Sequence, residues 1–95
     1  MSFVRVGNYF FRKSKIVYVN VSSSGLFGNN YALNILYDMP RPGDFKSPTT
    51  DFQVYYDKRC LKQLLLDVNS VVSNNDNCII GSGAATLLGY NKSRE

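Results

Sequence analysis

The chain has 95 residues, 44% of them hydrophobic and 19% charged, and a formal net charge of +4. That length fits one domain, the balance excludes a disordered chain, and no apolar run reaches the ~18–20 residues of a membrane span. A domain this small buries only about 60–65% of its unfolded surface, so a thin core and a benefit from self-association are expected.

The first elements follow from period-two alternation. Phe3-Val4-Arg5-Val6 and Tyr9-Phe10-Phe11-Arg12 read as short strands around the turn dipeptide Gly7-Asn8. From Lys15 the alternation is strict: Val17, Val19 and Val21 point one way, and Ile16, Tyr18 and Asn20 the other. The valine row is the expected core face, because the opposite row has a polar member. Residues 22–30 form a Ser/Gly/Asn loop with Leu26 and Phe27 exposed in its middle. Residues 31–38 alternate again as a long central strand. Residues 39–50 hold all three prolines and Gly43, which excludes regular structure. Phe52, Val54 and Tyr56 mark the last strand of the meander.

The period then changes once. Asp57 is a good N-cap for a helix over residues 58–73, in which Leu61, Leu64, Leu65, Val68 and Val72 recur at helical spacing. Cys60 and Val71 flank that stripe, while Lys58, Arg59, Lys62, Asp67 and Asn69 fall on the wet side. After a polar linker, Cys78-Ile79-Ile80 offers one edge strand, residues 84–90 a helical turn or two, and residues 91–95 a frayed tail. The whole pattern predicts an α+β domain over residues 1–90. It is an antiparallel meander of about five strands, covered on one face by a single amphipathic helix, with a short C-terminal extension. The element order is similar to that of pleckstrin-like domains, which have more strands. No motif accompanies the likeness, so it implies no residue role.

Little in the chain points to catalysis. Histidine, the commonest general base and metal ligand, is absent. The carboxylates Asp38, Asp44, Asp51, Asp57, Asp67, Asp76 and Glu95 form no pair at a spacing that guarantees one face of one element. The chain reads as a non-enzyme with no catalytic residue, no metal and no cofactor. Ile79-Ile80-Gly81-Ser82-Gly83 looks like the opening of a dinucleotide-binding turn, but Thr86 stands where the third glycine belongs. A Gly-rich turn is the expected role. Cys60 and Cys78 fall short of a disulfide framework, and free thiols imply a cytoplasmic compartment.

Charge and rings are the better leads. Arg12, Lys13 and Lys15 lie in a stretch without an acid before Asp38, and Lys58, Arg59 and Lys62 open the helix beside free backbone N–H groups. Seven Tyr and six Phe supply rings; Tyr18, Tyr55 and one of Tyr9 or Phe10 are the expected surface rings, and Tyr18 and Tyr55 the candidates to stack on a base. A phosphate-bearing ligand, either single-stranded nucleic acid or a small nucleotide, is one expected partner. The other is a second copy of the chain. Both faces of the strands at 15–21 and 31–37 carry large apolar residues, and one helix covers one face only. Ile16, Tyr18 and Leu36 are then candidates for a subunit interface. A non-catalytic, homo-oligomeric assembly or interaction module is the first reading of function, and binding of phosphate-bearing ligands the alternative. No membrane contact is expected.

Overall fold

The computed structural model describes residues 2–24, 30–43 and 46–89; Leu26, Phe27, Asp44 and the tail at 91–95 lie outside them. Strands β1 (Phe3–Val6) and β2 (Tyr9–Arg12) form a hairpin. Gly7 has φ +59°, as a II′ turn requires at its first central position. A 3₁₀ turn (Lys13–Lys15) leads into β3 (Ile16–Ser24), which is followed antiparallel by β4 (Asn30–Tyr37) and β5 (Thr50–Asp57). A second 3₁₀ turn (Lys58–Cys60) opens α1 (Leu61–Val72), and the chain continues through β6 (Ile79–Ile80) and α2 (Ser82–Leu88). This is the α+β domain that the periodicities predict, in which antiparallel strands are covered by one main helix. The strands fall into two sheets, the β1–β2 pair and a four-stranded sheet in the order β5-β4-β3-β6. β6 pairs parallel with β3 through Tyr18↔Ile79 and Val19↔Ile80, which departs from a pleckstrin-like meander.

One face of the larger sheet carries the core. Ile16, Val19 and Val21 of β3, Leu33, Ile35 and Tyr37 of β4 and Tyr56 of β5 are buried there. Val4, Val6 and Phe11 from the hairpin, Leu64, Val68 and Val71 from α1, and Ala84 from α2 cover them. Rings pin the hairpin to the sheet: Phe52 meets Phe11 and Tyr9 edge-on, each at 5.1 Å between centroids. The Tyr37 hydroxyl accepts from the Arg12 amide at 3.0 Å.

Strict alternation fails at the start of β3. Ile16 pairs with Tyr37 and Tyr18 with Leu36, so Val17 is the extra residue of a β-bulge. The bulge turns Ile16 to the side of Val19 and Val21 and buries it completely, leaving Val17 half-buried. Ile16 is therefore a core residue and not the interface residue that unbroken alternation places outside.

The helix is rotated from its expected phase. Asp67, expected in water, is 9% exposed, and Leu65, expected at the centre of the stripe, is half-buried at its margin. Tyr56 accounts for the difference: its hydroxyl donates to Asp67 Oδ2, while Gln63 Nε2 donates to Oδ1 at 2.9 Å. A carboxylate so satisfied can face inward. Cys60, expected on the buried side, is exposed. It lies in the 3₁₀ turn, where three residues per turn replace 3.6 and the helical phase cannot be extrapolated. Asp57 caps that turn, its Oδ1 accepting from the Arg59 amide at 2.9 Å, and that bond leads the causes that hold its carboxyl below the ordinary value.

Two stability experiments test this packing. Leu64→Ala should cost about 2–5 kcal/mol in urea unfolding, and Leu65→Ala clearly less, because only Leu64 is fully enclosed; the reverse order would contradict the helix phase. Tyr56→Phe tests the buried pair. Desolvation foremost, then the bond to Asp67, raise the Tyr56 pKa well above its ordinary 10.0. Folding therefore favours the protonated hydroxyl, a contribution complete below pH 10.0 and lost as the pH rises beyond it. Wild type should exceed Tyr56→Phe by about 1.5–3 kcal/mol near neutral pH. That gap should narrow above pH 10.0; a gap that widens there would contradict the pairing.

Candidate functional site

The face of the larger sheet opposite the core is built in four cross-strand rows. Ile79, Tyr18, Leu36 and Asp51 form the first, Asn20, Asn34 and Gln53 the second, Ser22, Ala32 and Tyr55 the third, and Asn30 stands opposite Asp57 in the fourth. Ala32 is buried at 3% exposure, and the other residues of these rows stay out of the hydrophobic core. Ile79 is 67% and Tyr55 61% exposed, and Tyr18 and Leu36 are half-buried. Of the three residues expected at an interface, Tyr18 and Leu36 thus stand side by side here, and Ile16 does not. Ile79 extends their row, a placement that rests on the parallel pairing of β6 and has no signature in local sequence. Asn34 Nδ2 donates to Ser22 Oγ at 3.2 Å, while its buried Oδ1 has no hydrogen-bond partner.

No lysine or arginine stands in these rows, and their charged residues are Asp51 and, at the end of the sheet, Asp57. The cations lie elsewhere and in separate groups. Lys13 Nζ donates to the Ser73 carbonyl at 2.8 Å, where it meets the negative end of α1. Lys58, Arg59 and Lys62 are exposed at the opposite end of that 12-residue helix, about 18 Å away. The two basic groups do not converge. Arg59 pairs with Asp57 at 3.2 Å, Lys15 is half-buried in the first 3₁₀ turn, and Arg12 is engaged on the hairpin. Tyr18 and Tyr55 share rows of the sheet that hold no cation, so the expected joining of rings with cations is not formed by these residues.

A different joining is present on the hairpin. Its outer face presents Phe3 opposite Arg12 and Arg5 opposite Phe10. The Arg12 guanidinium carbon lies 5.5 Å from the Phe3 ring centre, and that of Arg5 5.8 Å from Phe10. Sequence reasoning counted Arg5 among the cations and left one of Tyr9 or Phe10 as a surface ring, but it passed over Phe3 and the pairing of each ring with an arginine. The signal was available in the turn, since a two-residue loop at Gly7-Asn8 fixes which residues face each other across the pair.

The Gly81-Ser82-Gly83 turn has a packing role. Asn20 Oδ1 accepts from the Ala84 amide at 3.2 Å, so a β3 side chain caps α2. A Cβ on Gly83 would stand 2.0 Å from the Val21 carbonyl oxygen, and one on Gly81 2.4 Å from Asn20 Cγ. Both glycines let the chain pass close along β3. Cys60 and Cys78 are free, and burial pushes the Cys78 thiol up. Among the described residues no three Cys, Asp or Glu side chains gather as a metal site, and no helix is long and apolar enough to cross a membrane. Gly83→Ala should cost about 1–3 kcal/mol by forcing the helix off β3. Gly81→Ala, which meets a movable side chain, should cost less. Equal melting temperatures for Gly83→Ala and wild type would contradict the close approach.

Comparison with protein-family models, with curated proteins and with solved structures gave no match, and the geometry of these two surfaces is what bears on function.

Proposed function

We propose that the protein is a non-catalytic assembly module that pairs with a second copy of itself through the outer face of its four-stranded sheet. The observation that carries this reading is a partly apolar face whose rows contain no lysine or arginine, the Asp57–Arg59 pair lying at its end. A chain of net charge +4 repels its own copies over most orientations, and this face lets two copies meet without bringing cations together. Asn20 Oδ1 and Gln53 Oε1 already accept from the Ala84 amide and the Tyr55 hydroxyl, and Asn34 Nδ2 donates to Ser22. The amide nitrogens of Asn20 and Gln53 and the Asn34 Oδ1 are left to pair donor with acceptor across a two-fold apposition of the row. A small turn of the Asn34 amide would offer its unpartnered Oδ1 to a donor on the apposed copy.

The magnitude is modest. Full burial of a large apolar side chain is worth roughly 1.5–3 kcal/mol, and Tyr18 and Leu36 are half-buried already. Set against an association cost of at least ~4 kcal/mol, these contributions leave a weak, reversible dimer, in the upper micromolar range. The free thiols fit a reducing compartment, which in this reading is the cytoplasm.

Sedimentation over a micromolar concentration series should give a mass approaching twice 10.7 kDa. Tyr18→Lys with Ile79→Lys should return the monomer with an unchanged circular dichroism spectrum, because neither side chain belongs to the core. A wild type that stays monomeric, or a double variant that still dimerises, would overturn the proposal.

A further inference from the structure

We propose that the outer face of the β1–β2 hairpin binds single-stranded nucleic acid, with Phe3 and Phe10 as stacking surfaces and Arg5, Arg12 and Lys13 as phosphate contacts. Phe10 is 71% and Phe3 57% exposed, on two paired strands whose register fixes their separation. The two residues are diagonal neighbours, about 7–8 Å apart, so successive unstacked bases of one strand can each find a ring. Each ring carries its own guanidinium, which leaves cation and π-face side by side. Charge complementarity favours a polyanion, since residues 2–15 include Arg5, Arg12, Lys13 and Lys15 and no carboxylate.

The surroundings favour a nucleic acid over an anionic lipid surface. A groove of about 550 Å³ runs from Phe3 and Arg5 along α1 past Leu66, Asn69 and Ser70 to Lys13. Its wall offers amide and hydroxyl groups that suit sugar and phosphate better than acyl chains. Each ring has a guanidinium over it, at 5.5 Å for Phe3 and 5.8 Å for Phe10, rather than standing free of polar groups as a membrane wedge does. A single strand is required, because a phenylalanine ring stacks only on a base that is free of its neighbour. This surface is separate from the proposed dimer face, and either can fail without the other.

Fluorescence anisotropy with a labelled single-stranded thymidine oligonucleotide at low salt tests the inference. Binding should saturate and weaken with salt at a log–log slope of about −0.7 for each neutralised phosphate, so about −2 for three contacts. Phe3→Ala and Phe10→Ala should each reduce affinity about tenfold without lowering the melting temperature, as both rings are exposed. Arg5→Gln with Arg12→Gln should make the salt slope shallower. Lys58→Ala with Lys62→Ala should change little. The dimer-face double variant should bind as wild type does for each chain. The inference is overturned by no binding at low salt, by equal affinity for a duplex of the same length, or by phenylalanine variants that bind unchanged. Binding to phosphatidylserine vesicles in place of the oligonucleotide would likewise overturn it and assign the surface to lipid.

Discussion

The backbone ladder of β3 is the constraint on which the rest of the molecule depends. It pairs antiparallel with β4 on one side and parallel with β6 on the other. Its bulge at Val17 turns Ile16 into the core, and its Asn20 caps the helix that follows β6. The Gly81 amide continues the ladder by donating to the Val19 carbonyl at 2.8 Å, and this hands the chain from strand to helix along one edge. A strand that engages both neighbours and a helix start leaves its edge no longer open to foreign pairing. Its two faces remain, and the chain treats them differently.

The inner face receives α1, α2 and the hairpin, and every large residue with negligible exposure belongs to that contact. The outer face meets only the start of α2, at its β3 edge, where Asn20 accepts from the Ala84 amide. The division follows from supply: two helices, seven and twelve residues long, and one short hairpin can cover a single face of a four-stranded sheet. Charge is divided along the same line. Among the described residues, cations occupy the hairpin, the two 3₁₀ turns, the first turn of α1 and, at Arg41 and Lys46, the connection between β4 and β5. The outer sheet face has Asp51 and, at its end, Asp57 among amides, rings and aliphatic side chains. Charge of one sign on one side and a cation-free, partly apolar surface on the other suit a protein that pairs through one side and meets a polyanion with the other.

Much of this fold was legible in the sequence, because the period-two runs and the single change to helical period each correspond to an element. What escaped shares one cause: information held by a distant residue. Ile16 was misplaced because a bulge is set by the pairing with Tyr37 and Leu36, not by the strand's own alternation. Asp67 was assigned to water because its partner Tyr56 lies in another element. Cys60 followed a helical phase that a 3₁₀ turn interrupts. For the candidate sites, Tyr18 and Leu36 were found as neighbours by alternation alone. Ile79 joined their row only through a parallel pairing that local pattern does not encode. The cationic groups near residues 13 and 60 are close to the two ends of one helix, and composition cannot tell an end from a cluster.

The central claim is that one sheet face is committed to the core and the other to a second copy. Hydroxyl-radical footprinting across a dilution series tests it most directly, because it reads individual side chains in the unmodified protein. The account predicts that Tyr18, Leu36, Tyr55 and Ile79 become protected together as concentration rises, while Phe3, Phe10 and Leu66 keep their reactivity throughout. Protection confined to the hairpin, or no change at any side chain over the series, would contradict it.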